Sequence, residues 1–337
     1  MEKNNIIANN SDFLFLYDAA QCNPNGDPDQ ENKPRMDYDT ETNLVTDTRL
    51  KRYIRDYLSL SGKYVFVNME DDKKVGMDTK MKAVLTQLFD DSDSLDYFFT
   101  EDPTMKTKFE EIKKKRKDGE DLIKFFVNKK PESTELNKYL LAQLVKEQFT
   151  DIRMFGCAFA VDGFTKPYTG PIQINWGFSL HKVQLMDSSS IVTIMNDENS
   201  TFGKDYRVHY SLLAFNGTIN KFAAQSTGLT PTDVEIFRDA IWNSVPALPT
   251  RSKLNQYPKL YLEVIYNEGF YNGYLGDLRN YLKVVPNKGL EEKQIRRFED
   301  LTLDLSALEN VLSANKGEDK AIKEVLVKSA AGITFSI

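Results

Sequence analysis

The chain is poor in the residues on which most enzymes are built. Two histidines, His181 and His209, stand among 337 residues. Neither lies in a recognisable nucleophile setting, so a Ser-His-Asp or Cys-His triad would have to rest on one of them. Two cysteines, Cys22 and Cys157, are too few for a disulfide framework or, by themselves, for a four-ligand zinc site. Apolar runs such as Phe13-Leu14-Phe15-Leu16-Tyr17 end after about five residues, where a membrane span needs about 18. No charged-then-apolar leader opens the sequence. The expectation is a soluble, cytoplasmic protein with no membrane partner. Basic residues are not in excess either: 44 Lys and Arg face 50 acids, for a net charge of −6. That argues against a nonspecific nucleic-acid coat but leaves room for one local basic groove.

What is present suffices for a core. Hydrophobic residues make up 41% and aromatics 12%, which excludes wholesale disorder, and the length accommodates one large domain or two modest ones. Phe13 to Ala19 reads as a strand buried on both faces. It runs into Asn23-Pro24-Asn25-Gly26-Asp27-Pro28-Asp29, a cluster of turn residues, within a loop extending to about Asn43. A loop of that length is often functional. A helix begins at Thr46 or Asp47 as N-cap, with Leu50, Ile54, Tyr57 and Leu58 as its apolar stripe, and Gly62 ends it. Lys63 to Asn68 alternates like a short strand. Charge blocks follow. Asp90 to Asp102 holds six acids and no Lys or Arg, and Lys106 to Lys130 holds ten basic residues against five acids. Helical patterns at Met81–Phe89 and Leu136–Phe149 make this stretch a helical insertion.

Strand texture returns at Asp151 to Val161 and Gly170 to Leu180, with Lys166 to Gly170 as the turn. Leu185 to Gly203 is polar and reads as an extended projecting hairpin or loop. Tyr206 to Phe215 alternates like a strand. A second helix opens with Thr230 as N-cap, Pro231 at N1 and Asp233 closing a capping box, and carries the stripe Val234, Phe237, Ile241 and Val245. Leu260 to Tyr266 is the last clear strand. The predicted fold class is α+β: a modified RRM-like (ferredoxin-like) sheet with a helical insertion, an order that alone assigns no function.

Three constellations carry chemistry. Arg49, Lys51, Arg52 and Arg55 fan over the first helix outside its stripe, as either a solvated face or a seat for phosphates. The Asn25-Gly26-Asp27 loop is either an ordinary turn or backbone beside a ligand, with Asp27 or Asp29 as an acid or metal group; hydrolytic magnesium sites normally combine several carboxylates. Arg153-Met154-Phe155-Gly156 and Gly170 to Gly177, with Gln173 and a partly buried Trp176, suit either core strands or a surface that stacks single-stranded bases. The Lys113–Lys117 run reads as a solvated helix face, and both histidines as ordinary sheet residues.

These blocks together resemble a known family. The apolar strand, Asn23 to Asp29, Pro34-Arg35, and Leu44-Val45-Thr46-Asp47 running into Leu50-Lys51-Arg52-Tyr53-Ile54-Arg55 are similar to the crRNA-binding backbone subunit of type I CRISPR surveillance complexes (Cascade), nearest to subtypes I-B and I-C, within the RAMP superfamily. Asp151 to Gly156, Gly170 to Gln173, and Phe202-Gly203-Lys204 followed by Tyr210 continue the resemblance, which covers roughly Phe13 to Tyr266. It implies an RRM-like palm (1–69 and 151–337), a helical fingers insertion (70–150) and a thumb hairpin at about 185–203. It also implies a non-enzymatic subunit without cofactor or metal that polymerises along crRNA with copies of itself and other Cascade subunits, presenting the guide to a target DNA strand. The implied RNA contacts are Asn25, Gly26, Asp27, Arg49, Lys51, Arg52, Arg55, Arg153, Phe155, Gln173, Lys204 and an apolar thumb wedge, Met195 or Met186. Two other classes stand beside this one: a metal-dependent target-RNA endonuclease backbone subunit of a type III-like complex using the loop aspartate Asp27, and a stand-alone single-strand RNA chaperone.

Overall fold

A computed structural model describes residues 6–67, 77–115, 131–161, 164–187, 189–192 and 202–336. The fold is α+β with a mostly antiparallel sheet. Its chain divides into two units, one of Ala8–Tyr57, Ile172–Lys221 and Glu235–Ile337, the other of Met1–Ile7, Leu58–Pro171 and Phe222–Val234. Among the described residues no helix is long and apolar enough to cross a membrane.

The first unit is organised by strand β1, Ser11–Cys22. Its neighbours in the sheet are β2 (Met36–Asp37), β3 (Thr42–Val45), β4 (Ile172–Ile174), β5 (Gly177–Ser179), β6 (Val208–Ile219), β7 (Gln256–Tyr266) and β8 (Ile322–Ser329). The order is β8-β7-β1-β6-β5-β3-β2, with β4 also on β6. Successive side chains of β1 face opposite ways. Phe13 meets Phe237 edge-on at 5.3 Å and Tyr17 stacks on Phe215 at 5.8 Å. Leu14 and Leu16 join Leu260, Leu262, Leu308 and Leu312 in a second cluster. A strand covered on both faces needs apolar residues at every position, which is why this one reads as an unbroken run. Helix α1 spans Asp47–Leu60 and buries Leu50, Tyr53, Ile54 and Leu58, while Tyr57 donates its hydroxyl to Asp239 at 2.9 Å.

The second unit holds helices α2 (Met77–Asp90), α3 (Ser92–Phe98), α4 (Pro103–Lys114), α5 (Pro131–Glu147) and α6 (Thr150–Phe155) around one apolar core that includes Phe109, Leu140, Leu144 and Phe149. Two strand expectations fail here for one reason. Asp151 is fully buried, and its carboxylate accepts from the backbone N–H of Phe66 at 2.8 Å and of Val67 at 3.0 Å. Those amides therefore serve a side chain instead of a ladder, and Lys63 to Val67 is irregular. Asp151 to Phe155 lies in helix α6, and Gly156, at φ 71°, turns the chain into a hairpin strand, Gly156–Val161. Lys166 to Thr169, expected as the turn, belongs to the returning strand Phe164–Thr169. Helix α7 (Lys221–Thr227) precedes α8 (Pro231–Ala247), whose capping box forms as expected. Asp233 N donates to Thr230 Oγ1 and Thr230 N to the Asp233 carboxylate, each at 3.1 Å. Helix α9 (Ser306–Asn315) supplies Leu308 and Leu312 to the first unit. A short hairpin, Ser189–Val192 on Phe202–Asp205, lies in the segment expected to project.

Candidate nucleic-acid interface

The polar loop after β1 is tied by its own side chains. Asn25 accepts at Oδ1 from the N–H of Thr46 at 2.9 Å and from its hydroxyl at 3.0 Å, and its carbonyl accepts from Arg35 N at 2.9 Å. Thr46 in turn accepts from Arg49 N at 3.2 Å as the cap of α1. One asparagine thus fixes the loop to the start of the basic helix. Gly26 pairs with Pro34, and a Cβ there would lie 1.9 Å from Asn32 Oδ1. Asp27 accepts from Asp29 N at 3.2 Å and pairs with Arg35 at 3.2 Å. The three loop residues therefore act first as construction, with the Asp27 carboxylate already engaged by a cation.

On α1 the cations differ in commitment. Lys51 pairs with Asp47 at 3.1 Å and Arg52 with Asp56 at 2.7 Å, both one turn apart. Arg55 is half-buried on the same helix. Arg49 lies 4.0 Å over the ring of Tyr53, held by its face, and its Nε is buried without a hydrogen-bond partner among the described residues.

Sheet register gathers further cations, of which the sequence pointed to Lys204 alone. Cys22 sits opposite Val208, and Ala19 opposite Gln256. Residues just before β6 and β7 therefore arrive where β1 ends. Arg207 donates to the Gln21 carbonyl at 2.9 Å and pairs with Asp205 at 2.8 Å; Arg251 reaches Asp205 at 3.2 Å. Lys253 donates to the Asn23 carbonyl. Lys204 pairs with Glu31 at 2.9 Å, and the Tyr206 hydroxyl donates to the same carboxylate at 2.8 Å. This pulls the Glu31 carboxyl below its usual range. Burial raises the Cys22 thiol to about 12, so it stays uncharged amid these cations. Arg207 is more than forty residues from Arg251 and Lys253, and no local pattern brings the three together.

Other expected contacts fall elsewhere. Arg153 belongs to the second unit, where its guanidinium holds Asp233 through Nε at 2.9 Å and Nη2 at 2.8 Å and also donates to the Lys146 carbonyl. That fork is spent inside the fold. Phe155 is buried in the same unit. Gln173 is exposed on β4 opposite Thr218. Trp176, expected partly buried, is 48% exposed. Met186 is half-buried beside the hairpin, and Met195 lies outside the described residues. His209 is in β6; His181 follows β5 in a bend, with Nε2 accepting from Leu212 N at 3.3 Å and burial lowering its pKa.

A family model described as CRISPR-associated protein Cas7 matches residues 9–306. The CRISPR-associated protein Cas7 of Haloferax volcanii is 29% identical over 327 residues, covering 90% of this chain and 83% of that protein. Among solved structures, a chain of a CRISPR RNA-guided surveillance complex is 11% identical with a TM-score of 0.44 over 90% of this chain and 83% of that one. A chain of such a complex in a pre-nicking state is 13% identical with a TM-score of 0.42, over 78% and 80%. With a family match spanning residues 9–306, most of its length, the chain belongs to the Cas7 family of CRISPR-associated proteins.

Proposed function

We infer that this protein is a guide-RNA-binding subunit of a type I CRISPR surveillance complex, in which copies line up along crRNA and leave the guide free to pair with target DNA. Family membership across residues 9–306 carries the reading. The strand order β7-β1-β6, with β4 and β5 beyond, supports reading this sheet as an RRM-like palm. Helices α2 to α5 are the fingers on this reading, and the paired strands Ser189–Val192 and Phe202–Asp205 are the stem of the thumb. The RNA path runs over the loop after β1 and the first turns of α1, with Arg49, Lys51, Arg52 and Lys204 as backbone contacts. Asn25 and Gly26 shape that path, and Arg153 and Phe155 leave the contact set. The subunit reads backbone and shape, while base pairing reads sequence. Asp27 is a structural acid on this reading, since Arg35 and the Asp29 amide occupy its carboxylate.

The test is to purify the protein from cells that carry a CRISPR array and sequence the RNA that comes with it. Discrete repeat–spacer guides are the expected result. Random cellular RNA would replace this reading with that of a stand-alone RNA chaperone.

A further inference from the structure

The guide-RNA reading places phosphate near α1, yet the best-prepared cation at the end of β1 comes from a different element. Lys253 lies in the turn before β7, with its backbone N–H on the Thr250 carbonyl at 2.9 Å and its Nζ folded back onto the Asn23 carbonyl. The charged and titratable groups that face it are Arg49 from α1 and Cys22 from β1. Arg207, bonded to the Gln21 carbonyl, and Asp18 of β1 also act on the Cys22 thiol. Asp205 and Asp18 already have partners: Asp205 takes Arg207 and Arg251, and Asp18 takes Lys259 at 3.0 Å. The thiol stays neutral. Among the described residues neither Lys253 nor Arg49 has a carboxylate partner, and Arg49 Nε has no acceptor at all.

Two cations held side by side without a counter-charge repel one another, and each loses hydration by burial. A fold keeps such a pair only if the rest of the structure holds it in place. Here Tyr53 supports the Arg49 guanidinium from below, and Gln256, bonded to both the Tyr53 hydroxyl at 3.2 Å and the Lys253 carbonyl at 2.8 Å, joins the helix to the turn. The arrangement is pre-organised for an anion that supplies what both lack: negative charge, and acceptor oxygens for a guanidinium N–H and an ammonium.

We propose that Lys253 and Arg49 together bind one backbone phosphate of the guide, with the turn before β7 and helix α1 each supplying one cation. The proposal rests on the guide-RNA reading and adds to it a ligand outside the basic helix. It has a consequence that a purely structural lysine lacks. Burial, and next to it the Arg49 charge, lowers Lys253 to about 8 in the free protein. A phosphodiester stays anionic and favours the ammonium, so binding raises that pKa and draws one proton from solvent above about pH 8. Below that pH the ammonium is already formed and affinity is flat. Above it, affinity falls as pH rises, with Kd increasing about tenfold for one pH unit.

The experiment titrates a synthetic repeat–spacer RNA into the folded protein, by calorimetry in two buffers of different ionisation enthalpy and across a salt and pH series. A peptide nucleic acid of the same sequence, which lacks phosphates, is the control. Wild-type protein is expected to take up a proton with RNA and none with the control. Lys253→Gln should abolish the uptake and lower the salt slope by about 0.7 log units. Lys253→Arg should keep the slope but lose the pH dependence, which guards against a Gln variant that fails to fold. RNA binding by wild type without proton uptake, together with an unchanged slope in Lys253→Gln, overturns the proposal and leaves the guide-RNA reading standing. Folded wild type that retains no RNA at low salt overturns both.

Discussion

Arg153 shows why residue type and neighbourhood in sequence are weak guides to contact. It stands in a run, Arg153-Met154-Phe155-Gly156, that invites a reading as RNA-facing strand. The structure instead makes it half of a two-pronged ion pair with Asp233, both side chains largely withdrawn from water. Asp233 was legible as a helix-capping residue from its spacing to Thr230. That it also receives an arginine 80 positions earlier was not, because nothing local encodes it. Removing one partner of a buried pair leaves the other desolvated and uncompensated, a loss of about 3–5 kcal/mol. Arg153→Met is therefore expected to lower the unfolding free energy by that order in a denaturant titration, while leaving the salt slope of RNA binding in the surviving folded protein unchanged. A drop in salt slope with stability intact would restore Arg153 to the RNA path.

Helix α1 is the element whose structure was most legible, and its geometry explains why. Cap, stripe and basic face all recur within one or two turns, so a local pattern carries them. Asn25 joining the loop to Thr46 was not legible, since it needs the loop folded. The failed strands at Lys63 and Asp151 show the same limit: a buried carboxylate 84 and 85 residues away from the amides it serves decides the outcome. On α1 the cations of Lys51 and Arg52 are held by Asp47 and Asp56 one turn away. Pairs of this kind on a helix surface contribute only about 0.3–0.5 kcal/mol, so a phosphate can displace either aspartate at small cost. Neither cation belongs to the buried stripe, and the fold should survive their loss. The double change Lys51→Ala plus Arg52→Ala is expected to weaken binding to every guide sequence alike and to lower the salt slope by about 1.4 log units. An unchanged slope in folded mutant protein would move the groove off this helix.

At the scale of the whole molecule, a net charge of −6 coexists with a cationic end of β1. Charges more than about 10 Å apart are largely screened at ordinary ionic strength, so the local arrangement, and not the total, decides what approaches. Composition was silent about this cluster of cations, which forms only once the residues before β6 and β7 bring Arg207 and Lys253 to the end of β1 beside Cys22. That same local field bears on the choice between a binding subunit and a metal-dependent RNA endonuclease. A loop aspartate becomes a metal ligand when it is free and has other carboxylates beside it. Asp27 has instead an arginine at 3.2 Å and an amide at 3.2 Å on its carboxylate, in a loop fixed to the start of a basic helix. A divalent cation would have to displace Arg35 and then sit among like charges, which raises its cost of binding. Guide-loaded protein incubated with complementary RNA and magnesium is accordingly expected to leave that RNA intact, and Asp27→Ala to alter stability of the loop without any effect on cleavage. Cuts at regular intervals that vanish in Asp27→Ala would show that the carboxylate leaves Arg35 to hold a metal, and would turn the same loop into a catalytic one.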